Sequence, residues 1–140
     1  MSNPYIVEVS EATFATDVLA QSIQVPVIVD FWAPWCGPCR TLGPLLERLA
    51  AEARGAFVLA KLNVDDSPQL SASYGVQGIP AVKAFREGRV VDEFVGAQPE
   101  ARVREFLKKV APTAADRKLT EAHSLLATRH WDVLPRRIAR

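Results

Sequence analysis

Cys36 and Cys39 are the only cysteines in the 140-residue chain, and they stand three positions apart. Two cysteines scattered at random over such a length take that spacing about once in seventy placements, so the pair reads as a motif. The chemistry it offers is thiol–disulfide exchange. Only a thiolate attacks a disulfide, so one of the two thiols must be held at a lowered pKa. A helix N-terminus does this, because its unpaired N–H groups and its dipole favour negative charge. Cys36 falls where an apolar run, Val25 to Trp32, gives way through Ala33-Pro34 to a helical pattern. Pro38 suits the first turn of that helix, where a proline has no hydrogen bond to lose. Cys39 comes one turn later on the same face. Its sulfur then lies within reach of the first, and a Cys36–Cys39 disulfide closes with little backbone movement. This assigns Cys36 as the attacking nucleophile and Cys39 as the resolving thiol.

Other uses of the pair fit less well. A zinc site takes about four ligands. The pair supplies two, and both histidines, His123 and His130, lie far off toward the C-terminus. A static disulfide spanning three residues constrains the unfolded chain very little. Inert buried thiols leave the flanking Trp35, Gly37 and Pro38 without a purpose. No metal and no cofactor is expected.

The segment Trp32-Ala-Pro-Trp-Cys-Gly-Pro-Cys39 resembles the active site of the thioredoxin family. The resemblance runs from about Tyr5 to Val110. It takes in Asp30, Ala60-Lys-Leu-Asn-Val-Asp65, Gly78-Ile79-Pro80 and Gly96, in the family's order. It implies a thioredoxin-type protein-disulfide reductase that is regenerated by a thioredoxin reductase. Gly37-Pro38 between the cysteines implies a reductant, since isomerases of the family usually carry histidine there. The resemblance also implies a cis proline at Pro80, packed against the disulfide, against the low base rate for such bonds. It implies a shallow substrate-binding surface made of Trp35, Gly37, Pro38, Ile79, Pro80, Gly96 and Ala97. An extended substrate segment would lie there by backbone pairing. Trp35 is expected to be exposed beside the thiol, because Phe31 and Trp32 face the interior.

The elements that must position these residues follow from pattern. Tyr5 to Val9 reads as a strand. Ser10 is expected to cap a helix from Glu11 to about Leu19, with Glu11 near its positive end. Val25 to Trp32 reads as a strand buried on both faces. From Cys36 to about Ala53, Leu42, Leu45, Leu46 and Leu49 repeat at helical spacing, and Gly55 is a stop. Pro44 lies inside that helix and should bend it, either leaning the first turn outward to expose Cys36 or serving packing alone. Phe57 to Val64 is a second buried strand. Ser67 is expected to cap a short helix opened by Pro68 and ending near Tyr74-Gly75. Ala81–Phe85 and Val90–Phe94 form a hairpin through Glu87-Gly88. Pro99 opens a last helix with Val103, Phe106, Leu107 and Val110 on one face. The order β-α-β-α-β-α-β-β-α gives an α/β thioredoxin fold: a mixed central sheet flanked by helices, plus a short C-terminal helical extension. The pair then sits beyond the carboxyl end of its strand, where open α/β sheets place their sites.

Asp30 interrupts the core strand. It is either a polar residue at a strand edge bonded to backbone, or a desolvated carboxyl of raised pKa. Its apolar neighbours favour the second, and the resemblance implies proton transfer to and from Cys39. Lys61 interrupts the next strand. It either snorkels to solvent or tunes the pKa of Asp30 as a counter-charge.

Composition is that of a globular domain, 49% hydrophobic and 24% charged. Net charge is +1, so nothing recommends nucleic acid as a partner. No apolar run approaches membrane-spanning length, and Met1-Ser-Asn-Pro-Tyr5 lacks the pattern of a secretory leader. Two thiols without a disulfide framework suit a reducing cytoplasm. Two regions are expected, a thioredoxin domain over 1–111 and a helical extension over 112–140. In the extension, Leu119, Ala122, His123 and Leu126, then Trp131, Leu134 and Ile138, repeat at helical spacing. At Ala122, Leu125, Trp131 and Leu134 this hairpin is similar to part of a tetratricopeptide repeat, as in co-chaperones with a thioredoxin domain, although Arg129 departs from the pattern. Less than one repeat is present, whereas a solenoid needs about three. The tail therefore docks on its own domain, pairs with another chain or stays disordered. An alternative function follows: a redox-active co-chaperone or adaptor that binds a chaperone or client protein through 112–140.

Overall fold

The computed structural model describes residues 3–111. Strand β1 (Ile6–Val9) is followed by a turn and then a wide π-helical stretch, Ala15–Ala20, which runs on into a short helix α1 (Gln21–Gln24). Strand β2 (Val27–Trp32), helix α2 (Gly37–Ala53), strand β3 (Val58–Asn63), helix α3 (Pro68–Ser73), strands β4 (Ala81–Arg86) and β5 (Arg89–Val95), and helix α4 (Glu100–Val110) complete the order.

The strands form one sheet in the order β1-β3-β2-β4-β5. β1, β3 and β2 are parallel, and β4 and β5 join antiparallel. The centre of the sheet is β2, buried along its length up to a half-buried Trp32. Strand alternation sorts its side chains. Ile28 points with Leu59, Val82 and Ala84 toward Leu42, Leu46 and Leu49 of α2 and Val103 and Leu107 of α4. Val27, Val29 and Phe31 point the other way, toward Phe14 and Val18. Asp30 has the parity of Ile28 and therefore faces α2. The hairpin turns through Glu87 and Gly88, both at positive φ (55° and 82°), the geometry of a type I′ turn.

Two expected caps are corrected. The first helical segment starts later than Glu11 and ends later than Leu19. Residues 11–13 turn instead, with the Ser10 carbonyl accepting from Thr13 and Phe14 and the Ser10 amide donating to Thr13 Oγ1. Glu11 does not serve that segment. Its carboxylate accepts from the amides of Gln69 and Leu70, at 3.0 and 3.1 Å, and so caps α3 from across the fold. Ser67 consequently makes no side-chain cap, since the amides its hydroxyl would reach are already bonded. The stop of α2 comes one residue before Gly55: Arg54 takes the left-handed conformation (φ 48°) and Gly55 follows at φ 92°.

Glu11→Ala is expected to cost about 1 kcal/mol of stability through loss of this cap, whereas Ser67→Ala is expected to cost little. Urea unfolding of the two variants measures the contrast.

Candidate active site

Helix α2 begins at the carboxyl end of β2, and Cys36 is its N-cap residue, in extended conformation (φ −88°, ψ 114°). Ala33 sets this up by accepting a hydrogen bond from the Cys36 amide at 3.1 Å. The sulfur of Cys36 in turn accepts from the amide of Cys39 at 3.2 Å. This is capping geometry with sulfur in place of the usual oxygen. It directs a helix amide and the positive end of α2 at that sulfur, an arrangement that favours negative charge there. Cys36 and Cys39 are joined by a disulfide with Cα atoms 5.3 Å apart, a separation that both states of the pair tolerate. Pro44 leaves α2 one continuous element and does not lean Cys36 outward: Cys36 is 4% exposed and Cys39 6%.

The outer face is assembled from both ends of the chain. Gly37 and Pro38 are exposed on the first turn of α2, with open space where a Gly37 side chain would stand. Trp35 is 65% exposed, and its indole N–H donates to the carboxylate of Asp65 at 2.9 Å. Trp32 is only half-buried, beside the disulfide, not wholly interior as expected. Ile79 packs against the cysteine pair, and the Ile79–Pro80 bond is cis, as expected. Gly96, at φ 91°, donates its amide to the Pro80 carbonyl at 2.7 Å. Ala97 follows it, exposed.

Behind Cys39 lies a cleft of about 340 Å³, lined among others by Asp30, Trp32, Cys39, Gly43, Glu47 and Lys61. Asp30 is 1% exposed, and its Oδ1 finds no hydrogen-bond partner among the described residues. Burial in this apolar setting pushes its carboxyl up from 3.8 to about 6, against a downward pull from Lys61 and with an added push from Glu47. Asp30 and Lys61 are register partners on neighbouring strands, so both side chains leave the sheet on the α2 side. The Lys61 ammonium is ion-paired to Glu47 and lies 5.2 Å from the centre of the Trp32 ring. It therefore does more than snorkel.

A model of the thioredoxin family matches residues 5–109. The chain belongs to the thioredoxin family. Thioredoxin 1 of Nostoc sp. is 41% identical over 102 residues, covering 73% of this chain and 94% of the relative. Thioredoxin of Synechocystis sp. is 41% identical with the same coverage. Thioredoxin M-type, chloroplastic, of Pisum sativum is 44% identical over 93 residues, 66% of this chain and 54% of that one. With its close cysteine pair, the chain is a thioredoxin-type thiol–disulfide oxidoreductase, a disulfide reductase. The co-chaperone alternative finds no support in these relatives, whose names are those of thioredoxins. The tetratricopeptide-like hairpin expected over 112–140 lies outside the described residues. Among the described residues no helix is long and apolar enough to cross a membrane.

Two thioredoxin-site residues escaped the sequence reading. Asp65 stands just past β3, at the same end of the sheet as the thiols, and holds Trp35, a role that its place in the segment Ala60-Lys-Leu-Asn-Val-Asp65 does not disclose. Glu47 was not singled out. Its signal was spacing: Cys39, Gly43 and Glu47 recur every four residues along α2.

The raised pKa of Asp30 has a sign for stability. The unfolded carboxyl ionises near 3.8 and the folded one near 6, so the folded state is penalised as pH rises between them. The penalty is absent below about pH 4 and complete above about pH 6, where it amounts to about 3 kcal/mol. Asp30→Asn is expected to be more stable than the parent at pH 8 and nearly equal at pH 4, as read by urea unfolding at the two pH values.

Proposed function

We propose that this thioredoxin reduces disulfides of other proteins with Cys36 as the attacking thiolate. The observation that carries the proposal is the Cys39 amide aimed at Cys36 Sγ at the start of α2. The Cys36 thiolate attacks one sulfur of the substrate disulfide. That S–S bond breaks, and one substrate sulfur departs as a thiolate that takes a proton from solvent. The mixed disulfide left behind is resolved by Cys39. The Cys39 thiol gives its proton to Asp30 through the shared cleft, and its thiolate attacks Cys36 Sγ and releases the second substrate sulfur. Two electrons have passed to the substrate, and the Cys36–Cys39 bond has formed. A thioredoxin reductase would return those electrons.

A carboxyl titrating at about 6 is suited to this transfer, because it is ionised near neutrality and still basic enough to accept a proton. Lys61 tunes that carboxyl as its counter-charge. Trp35, Gly37, Pro38, Ile79, Pro80, Gly96 and Ala97 form the surface that receives the substrate. The end of β5 at Val95 offers extended edge backbone for pairing with a substrate strand. Residues 1–111 are the catalytic domain in this reading, 112–140 a separate extension, and the cytoplasm the compartment that keeps the dithiol reduced.

Insulin reduction tests the assignment. Cys36→Ser is expected to abolish turnover, and equal activity in variant and parent would reject the proposal. Cys39→Ser is expected to accumulate mixed disulfides that a reductant releases. Trp35→Ala is expected to raise KM several-fold with a smaller change in kcat, since it removes binding surface and no reacting group.

A further inference from the structure

We propose that Glu47 is a positioning residue of the reductase site: it anchors the Lys61 ammonium and thereby governs proton exchange between Asp30 and Cys39. The proposal rests on the reading of Asp30 as the proton acceptor of Cys39. Cys39, Gly43 and Glu47 lie four residues apart on α2 and all line the cleft that holds Asp30 and Lys61. The middle position is glycine. A Cβ built there would stand 3.8 Å from Lys61 Nζ, so the ammonium rests against nearly bare helix backbone between the thiol and Glu47.

Lys61 has two carboxylates to choose between. Asp30 is buried and is its register partner, while Glu47 is partly exposed on α2. The hydrogen bond goes to Glu47, and Asp30 Oδ1 is left without a partner among the described residues. An ammonium bonded directly to Asp30 would hold that carboxyl as an anion and make it a poor proton acceptor. By taking the ammonium, Glu47 prevents this, and its own negative charge acts in the same direction. Other charges do not obscure the effect. The titratable and charged groups facing Asp30 are Lys61 from β3 and Cys39, Arg40 and Glu47 from α2. β4 presents the apolar Val82 as register partner, and Arg40 donates outward to the Pro34 carbonyl at 3.0 Å. A partly buried ion pair gives up solvation of both charges for its attraction, so stability alone is a weak reason for an acid at this position.

The test titrates the Asp30 carboxyl by carbon NMR in the reduced full chain, alongside the pH profile of insulin reduction. Glu47→Gln keeps size and hydrogen bonding but removes the charge. It is expected to lower the Asp30 midpoint by about half a pH unit and to shift the acid limb of the rate profile the same way. Lys61→Met is expected to raise the midpoint, and Glu47→Gln in that background is expected to shift it less. An unmoved or raised midpoint in Glu47→Gln overturns the proposal, as does a shift undiminished in the Lys61→Met background. Asp30→Asn separates the two readings. A rate profile unchanged by that substitution overturns the role of Asp30 and this proposal with it. A changed profile with an unmoved Glu47→Gln midpoint overturns the role of Glu47 alone.

Discussion

Strand β2 delivers its last residues to the point where helix α2 begins, and there the amide of Cys39 meets the sulfur of Cys36. Much else in the domain serves to hold that contact still. The strand must be central, or its end would fray. The helix must pack along its full length on the sheet, and Leu42, Leu46 and Leu49 do this against Ile28 and Leu59. Ala33 must fit a tight turn, so that Cys36 leaves the helical conformation at one residue. An amide fixed in direction costs no reorganisation when charge appears on sulfur, which is the advantage of a folded site over a flexible peptide.

The same sheet carries a carboxyl in surroundings that disfavour its charge. The charge of Asp30 weakens the fold at neutral pH, which is where the proposed proton transfer would use it. Such conflicts between local stability and overall design are expected at functional positions. Here the conflict is moderated by geometry and not by burying a matched ion pair. The ammonium nearest in register is held by a third residue, on another element.

Much of this was legible in the sequence because its signals are local. Apolar runs marked β2 and β3, helical spacing marked α2 and α4, and two glycine-adjacent turns marked the hairpin and the end of α2. The cysteine spacing and Pro38 together placed the first thiol at a helix start. What was missed is long-range. Glu11 sits beside one helix in sequence and caps another in space, and no pattern read along the chain reports that. Asp65 and Glu47 act on residues 30 and 14 positions away. The burial of Cys36 has a related cause, since Ile79 and Val64, which pack against the pair, come from elsewhere in the chain. A resemblance to a family supplied the cis bond at Pro80, which base rates would have denied.

The hydrogen bond from Gly96 to the Pro80 carbonyl ties the proline loop to the end of the last strand. The face around the disulfide thus has one lip from residues near 35 and another from residues near 80 and 96. Without β4 and β5 that second lip is missing, and β2 becomes an edge strand. Damage to the hairpin is therefore felt at the thiols as well as at that lip, although the hairpin holds neither cysteine.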